Sequence, residues 1–304
     1  MRHLVKGGVA DALVSLETPV LYFYTDRDRT ASVHVEFPKG SMTDWYPQTS
    51  RPPSRQLRWD NIRVLAKDRP ALSPERDPRR YFAARETDAA TVQATNPDTK
   101  KLENEKFLFY RGVGDFEMPL EVRAKGQGAF TIKNTGRHAV PGHFLVSVQD
   151  RKVSFAALGQ LASGAEEKAA LPAEASTSEK LADAMVKLLV EQGLYEKEAR
   201  AMVKTWQADW FGENGTRVLY LVAETVTEEL LPLKIDPKPD RLVRVLVGRH
   251  DILTPEREAE VGALVKRLNG ESNADAKAAD TALSKLGRYR FAAQTAAERR
   301  ASGR

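Results

Sequence analysis

Two histidines near the middle of the chain have a spacing that suits a metal site. His138 and His143 fall in the segment RHAVPGHF, and neutral imidazoles are common zinc ligands. Pro141 and Gly142 predict a turn between the histidines rather than a helix. A third ligand would have to come from elsewhere in the chain, which contains no cysteine. Because two surface histidines on a loop explain the same pattern, we predict no metal and no cofactor.

Other candidates for acid–base chemistry lie in two short polar segments. Glu86 and Asp88 stand two residues apart in ARETDA, and paired carboxylates can exchange protons or bind a hard cation. His250, in the segment GRHD, directly follows a predicted strand and has the residue type of a general base. Each segment also fits a simpler interpretation, which is a polar strand end that faces solvent. Both interpretations stay open at this point.

Aromatic and arginine side chains are interleaved in a proline-rich stretch between residues 45 and 81. Flat aromatic faces stack on sugar rings and on extended peptides, and arginine strengthens such contacts. The residues of this predicted binding face are Trp45, Tyr46, Trp59, Tyr81, Arg51, Arg55 and Arg58. The alternative is that the aromatic rings close the open end of a β domain.

The elements that must position these groups are mainly short β-strands in the first half of the chain. Residues 20–24 form a continuous apolar run, and residues 32–37 alternate between apolar and polar side chains. The charged residues between the two segments predict a turn, and the whole predicts a β-hairpin. Further short strands, separated by turn residues, predict an antiparallel β-sandwich over residues 15–160.

The composition changes after the predicted sandwich. Residues 161–176 have few aromatic or β-branched side chains and are predicted to form a linker. Residues 177–270 are predicted to form an α+β region packed on the sandwich, with a helical hairpin, then further strands and a helix. Gly193 has the position expected of the residue that ends the first helix. Residues 271–304 are predicted to run from helix-prone to a disordered basic tail.

The overall composition of the 304 residues, with a net charge of +5, is that of an ordinary globular protein. No apolar stretch reaches the length of about 18 residues that a transmembrane helix needs. The absence of cysteine excludes disulfides and thiolate catalysis. The N-terminus lacks the apolar core of a signal peptide. We therefore expect a cytoplasmic protein, or a periplasmic or cell-envelope protein if an upstream signal peptide is missing from this sequence.

The stretch LETPVLYFYTDRDRTASVHVEFPKG, followed by WYP, resembles the opening of a group of uncharacterised bacterial proteins. The shared pattern is a proline, an aromatic strand, a charged turn, an alternating strand and Trp-Tyr-Pro. The later stretches YEKEARAMVKTW…WF and LPLKI…RVLVGR…TP are similar to the same group, so the resemblance covers most of residues 16–256. It implies no assigned activity and suggests a setting at the cell envelope.

Two classes of function follow from these patterns. We predict a non-enzymatic binding or structural module that turns the aromatic and arginine face toward a protein or a polysaccharide. The alternative is a hydrolase or metal-dependent enzyme whose site lies where the two regions meet and uses the carboxylates and histidines named above. The binding module is favoured because the sequence has no catalytic motif, and it has no specific nucleic-acid motif either. An enzyme should collect ionisable groups in a pocket, whereas a binding module should present an aromatic surface or groove.

Overall fold

The structure of the protein is a computed structural model. It describes residues 14–16, 20–49, 55–73, 80–114, 119–126, 128–252, 255–270 and 273–284, together with residues 290 and 294. In this part of the chain the protein is mainly β, with four antiparallel sheets and with its α-helices in the C-terminal half. The predicted fold class, mainly β with an α+β C-terminal part, is confirmed.

Sixteen strands and five α-helices make up the described fold. The strands, in chain order, are β1 (Val14–Leu16), β2 (Val20–Leu21), β3 (Arg29–Glu36), β4 (Gly40–Tyr46), β5 (Gln56–Leu65), β6 (Thr91–Thr95), β7 (Leu102–Glu105), β8 (Leu108–Gly114), β9 (Leu120–Gly126), β10 (Ala129–Asn134), β11 (His143–Gln149), β12 (Lys152–Leu158), β13 (Glu166–Ala170), β14 (Gly215–Val222), β15 (Leu233–Asp236) and β16 (Leu246–Ile252). The helices are α1 (Ser178–Glu191), α2 (Glu196–Gln207), α3 (Glu224–Leu230), α4 (Pro255–Leu268) and α5 (Asn273–Ser284). A 3-10 helix, Arg80–Arg85, precedes β6, and a π-helical turn, Ala208–Gly212, follows α2.

The largest sheet has five strands in the spatial order β15-β3-β5-β6-β7. In β3 the predicted alternation is confirmed, because Val33, Val35 and, just beyond the strand, Phe37 are completely buried. The predicted hairpin is wrong. The strand β3 pairs with β5 and β15, whereas β2 is a two-residue strand that pairs with β8 in another sheet. The chain after β2 leaves both sheets, and its aromatic side chains become available to the site described below.

Two smaller sheets complete the walls of the main hydrophobic core. In one, β8 pairs with β1, β2 and β4, and the other has the order β13-β10-β9. The strand β13 lies inside residues 161–176, so the segment predicted to be a linker contains a strand that pairs with β10. The pairing is made by backbone hydrogen bonds, which any non-proline residue can form, and the composition of the segment therefore did not signal it.

The fourth sheet, in the order β12-β11-β14-β16, separates two cores. Successive side chains of a strand point to opposite faces of the sheet. Leu145 and Val218 therefore pack in the main hydrophobic core. Phe144 and Leu219 pack in a second core, against α1 and α2. The sheet takes two strands from each of the regions predicted from the sequence. The boundary predicted near residue 160 therefore divides one sheet, and the two regions share a core.

The helices α1 and α2 form the predicted hairpin on the outer face of this fourth sheet. Helix α1 buries a stripe that includes Leu181, Met185 and Leu189. Gly193, the second residue after the helix, has a φ of +99°, a left-handed conformation that glycine adopts without strain. The predicted role of Gly193 at the end of the helix is confirmed.

The last two helices, α4 and α5, pack on each other around Val261, Val265 and Leu283. Of residues 271–304, only α5 and residues 290 and 294 are described, so most of the predicted tail lies outside the described residues. None of the helices in the described ranges is long and apolar enough to cross a membrane.

Candidate functional site

A cavity of about 650 Å³ lies between the chain that follows β2, the helix α2 and the segment of residues 237–247. Its exposed lining residues include Tyr24, Tyr195 and Arg241, and these mark its mouth. Its buried lining residues include Tyr110 and Trp210, and these form its floor. We call this space the large cavity. A volume of this size is ordinary for a small-molecule site.

The chain after β2 supplies two tyrosines to one wall of the large cavity. The Tyr22 hydroxyl donates to the backbone oxygen of Ala84 at 2.8 Å, and its ring meets Phe107 edge-on. The Tyr24 ring meets the Tyr195 ring edge-on, with 4.9 Å between the centroids. Burial raises the pKa of both phenols at Tyr22 and Tyr24, and the neighbouring Glu198 carboxylate raises it further. Both hydroxyls are therefore protonated at neutral pH and can act as hydrogen-bond donors.

Glu198 is the carboxylate that faces the large cavity from the first turn of α2. Its side chain is only 8% exposed. One carboxylate oxygen accepts from the Tyr195 N–H at 2.7 Å, and the other accepts from the Tyr24 hydroxyl at 3.1 Å. The first bond satisfies a backbone donor that the helix start leaves open. Burial raises the pKa of Glu198, while its two hydrogen bonds and the nearby Arg241 act in the opposite direction.

Two tryptophans, Trp206 on α2 and Trp210 in the π-helical turn, also line the cavity. A buried arginine holds this turn in place. The Arg217 guanidinium donates to the backbone oxygens of Asp209 at 2.9 Å and of Trp210 at 3.1 Å. Arg249 also donates to the Asp209 oxygen, at 2.6 Å. These bonds satisfy carbonyl groups that the end of a helix leaves open, and they fix Trp210 against the cavity.

The remaining wall is the segment of residues 237–247, which contains two prolines and joins no sheet until β16 begins. Arg244 anchors it, because its guanidinium donates to the Leu231 backbone oxygen at 2.6 Å. The same guanidinium faces the Tyr110 hydroxyl; burial raises the pKa of this phenol to about 12, and Arg244 opposes the rise. Beyond residues 242–245 lies a second, smaller cavity of about 120 Å³, which Arg244 also lines.

The aromatic side chains of the predicted binding face do not form an exposed surface, because their rings point into the protein. Trp59 is 2% exposed and donates from its indole nitrogen to the Pro47 oxygen at 2.8 Å. Tyr81 is buried against Phe109, and the half-buried Tyr46 forms a hydrogen bond with the Ser73 hydroxyl. Trp45 is half-buried and packs on the main core.

The arginines predicted to share that face are not shown to lie beside these rings. Arg55 and Arg58 are exposed, and Arg58 pairs with the Asp60 carboxylate at 2.7 Å, while Arg51 lies outside the described residues. On β5, Arg58 and Trp59 are neighbours and so occupy opposite faces of the sheet. The exposed aromatic rings of the described chain are instead Tyr24 and Tyr195, at the mouth of the large cavity.

The predicted acid–base residues are not brought together by the described contacts. Glu86 and Asp88 are exposed and pair with Lys204 and Lys197 of α2, the latter pair at 2.6 Å. They join the chain after the 3-10 helix to the helical hairpin. His250 is half-buried on β16, where burial lowers its pKa and the Asp251 carboxylate opposes the change.

The two histidines predicted as metal candidates have different surroundings. His138 is exposed, whereas His143 is buried in the fourth sheet. Both ring nitrogens of His143 have partners: Nδ1 meets the Gly159 oxygen at 2.9 Å, and Nε2 pairs with the Glu167 carboxylate. Within the described ranges, no three His, Cys, Asp or Glu side chains are arranged to hold a metal ion.

The residues of the large cavity were not singled out from the sequence, although two signals for them were present. Trp206 and Trp210 stand four residues apart at helical spacing, and Tyr195 and Glu198 have the three-residue spacing of a helix start. Neither signal reveals a cavity, because the opposite walls lie far away along the chain.

Comparison with known proteins does not assign the chain. No protein-family model matches it, and no curated protein matches it either.

Proposed function

We propose that the protein is a non-enzymatic binding module whose ligand is a small molecule with an apolar body, held in the large cavity. One observation carries the proposal, which is the cavity of about 650 Å³ with an aromatic and aliphatic interior and a polar mouth. Sites for small organic ligands typically occupy about 300–1,000 Å³ and combine apolar walls with few polar groups. The proposal keeps the predicted class of function and moves it from the β face to the cavity.

The distribution of side chains in the cavity supports an apolar ligand body. The buried part is lined by Tyr110, Trp206 and Trp210 and by aliphatic side chains such as Val64 and Leu231. A ligand that covers these groups removes apolar surface from water, which stabilises a complex by roughly 25 cal/mol per Å² before the costs of association. A charged side chain of the lining would contact the polar end of the same ligand.

The enzyme alternative receives less support from the described contacts. Glu198, the carboxylate of the cavity, is already engaged as an acceptor by the Tyr195 N–H and the Tyr24 hydroxyl. The Tyr22 hydroxyl is engaged by a backbone oxygen. Glu86 and Asp88 have lysine partners. Each of these groups is bound to a structural partner, and the described contacts do not bring them together around one position for a reacting atom.

The cellular location and the relatives of this module remain predictions from the sequence. A cytoplasmic location, a cell-envelope location with an upstream signal peptide, and the resemblance to a bacterial protein group are the three expectations from the sequence. A protein or polysaccharide surface as a further partner is a prediction of the same kind.

A titration with N-phenyl-1-naphthylamine (NPN) tests the proposal. NPN is uncharged, apolar and fluorescent only when it leaves water, so its emission reports occupation of an apolar cavity. We expect a saturable rise in emission with a single class of site. No rise in emission with the folded protein would contradict the proposal.

A pair of matched variants locates the site. Met202 lines the cavity and Leu188 does not, and both are half-buried helix residues. Met202→Trp adds volume inside the cavity, and we expect it to weaken NPN binding at least about five-fold, or about 1 kcal/mol. Leu188→Trp is the control and should leave NPN binding unchanged. Equal effects of both variants would place the probe elsewhere.

A further inference from the structure

The charges that line the large cavity do not balance within the described residues. Arg29 pairs with Asp26 at 3.6 Å, and the positive charge of Arg241 acts on the Glu198 carboxyl, where it opposes the rise in pKa that burial causes. Arg244 has no such partner, because within the described ranges no carboxylate lies within 4.0 Å of its guanidinium. Lys238 also lines the cavity without a described carboxylate partner, but it is exposed to solvent, so Arg244 is the half-buried cation of the described lining that lacks a counter-charge.

The surroundings of Arg244 make its position informative. The side chain is half-buried, and its described partners are neutral, the Leu231 oxygen at 2.6 Å and the Tyr110 hydroxyl. A guanidinium carries five N–H donors in one plane, so two neutral partners leave donors unused. A cation withdrawn from water without a counter-charge is unfavourable, and a bound anion would remove that cost.

Resting on the proposed function, we propose that the ligand is an apolar carboxylic acid whose carboxylate binds Arg244 while its alkyl or aromatic body fills the large cavity. A guanidinium and a carboxylate are planar groups that match in two parallel hydrogen bonds. A single half-buried cation without a counter-charge matches a single negative charge. A phosphate group, with a charge of about −1.5 to −2, would require a second cation at the same point.

The test compares two ligands of equal length that differ in charge. Sodium decanoate and decanol each compete with NPN at neutral pH, and both are kept below the concentrations at which they aggregate. We expect decanoate to displace NPN at about ten-fold lower concentration than decanol, the advantage of a hydrogen-bonded charge pair. Equal displacement by the two ligands would overturn the inference and leave the proposed function standing.

Variants of two arginines assign the preference to one side chain. Arg244→Gln keeps hydrogen-bond donors and removes the charge, so decanoate should fall to the affinity that decanol has for the same variant. Arg241→Gln is the matched control, because Arg241 is exposed at the mouth, and it should change the preference less than about three-fold. Loss of the preference in the Arg241 variant but not in the Arg244 variant would contradict the assignment.

Two further measurements separate the effect of charge from the effect of hydrogen-bond geometry and from unfolding. Arg244→Lys retains the charge without the planar fork, and it should retain part of the decanoate preference. A thermal melt of each variant shows whether it is folded at the titration temperature. If NPN and decanoate both fail to bind the folded wild type, the proposed function fails and the carboxylate inference fails with it.

Discussion

Two half-buried arginines, Arg85 and Arg244, both bind a backbone oxygen, but only Arg85 also binds a carboxylate. Each donates from Nη2 to a backbone oxygen, Arg85 to Ser73 at 2.9 Å and Arg244 to Leu231 at 2.6 Å. Arg85 also donates hydrogen bonds from Nε and Nη2 to the Glu105 carboxylate, at 2.9 and 2.7 Å. Its guanidinium lies over the Phe82 ring. Around Arg244 a cavity takes the place of the carboxylate.

The difference distinguishes a structural charge from a charge available to a ligand. Glu105 is completely buried, so its pairing with Arg85 is part of the interior of the protein. Tyr22 is influenced by both regions, because burial raises the pKa of its hydroxyl and the Glu198 and Glu105 carboxylates raise it further. The same stretch of chain thus packs against a closed charge pair and against an open cavity.

Breaking the closed pair should have the largest effect. Glu105→Ala leaves the Arg85 cation buried without its carboxylate, and we expect the free energy of unfolding in urea to fall by about 3–5 kcal/mol. Glu121→Ala is the control, because Glu121 pairs with Arg123 at the surface and should contribute less than about 1 kcal/mol. Similar losses in the two variants would mean that the Arg85 pair is not structural.

A smaller effect, visible in its pH dependence, is expected at Glu198. Burial raises the pKa of its carboxyl above the ordinary value of 4.5. The folded state therefore binds a proton more tightly than the unfolded state, and the carboxyl destabilises the fold increasingly as the pH rises from 4.5 through the raised pKa.

The measurement for Glu198 compares wild type and Glu198→Gln by urea unfolding across this pH range. The stability of the wild type relative to the variant should be greatest below pH 4.5 and should decline as the pH rises. A relative stability that increases with pH would show that the hydrogen bonds from Tyr195 and Tyr24 outweigh burial.

Removing the charge of Arg244 should have little effect on the free energy of unfolding of the ligand-free protein. Arg244→Gln loses a hydrogen bond to a backbone oxygen and also relieves an uncompensated charge, so we expect a change within about 1 kcal/mol. Urea unfolding of the ligand-free variant checks this. A loss as large as that of Glu105→Ala would place Arg244 in the same class as Arg85.

The smallest effect is expected at the surface pairs that join Glu86 and Asp88 to α2. Both partners of each pair are more than half exposed, so Asp88→Asn should cost less than about 0.5 kcal/mol, and about 1 M salt should abolish the difference. Urea unfolding at low and high salt measures it. A loss that persists at high salt would indicate a role beyond the ion pair.

The sequence by itself determined the local elements. The alternation of apolar and polar residues in β3 identified the buried face formed by Val33, Val35 and Phe37. The apolar stripe of α1 and the glycine after it identified the helical hairpin. These features depend on neighbours within a few residues, so their signals are complete in a short window. The same signals sufficed for the fold class.

Only the tertiary structure decided which strands pair and which side chains meet. Alternation shows that a strand has a buried face, but it does not name the partner, and so β2 and β3 were placed in one hairpin rather than in two sheets. An aromatic residue buries equally well in a core or at a site, which is why Trp59 was assigned to a surface that it does not reach. The large cavity joins Tyr24, Glu198 and Arg244 from three separate parts of the chain. The charge balance at such a point depends on distances across the fold, and these come into existence only when the chain has folded.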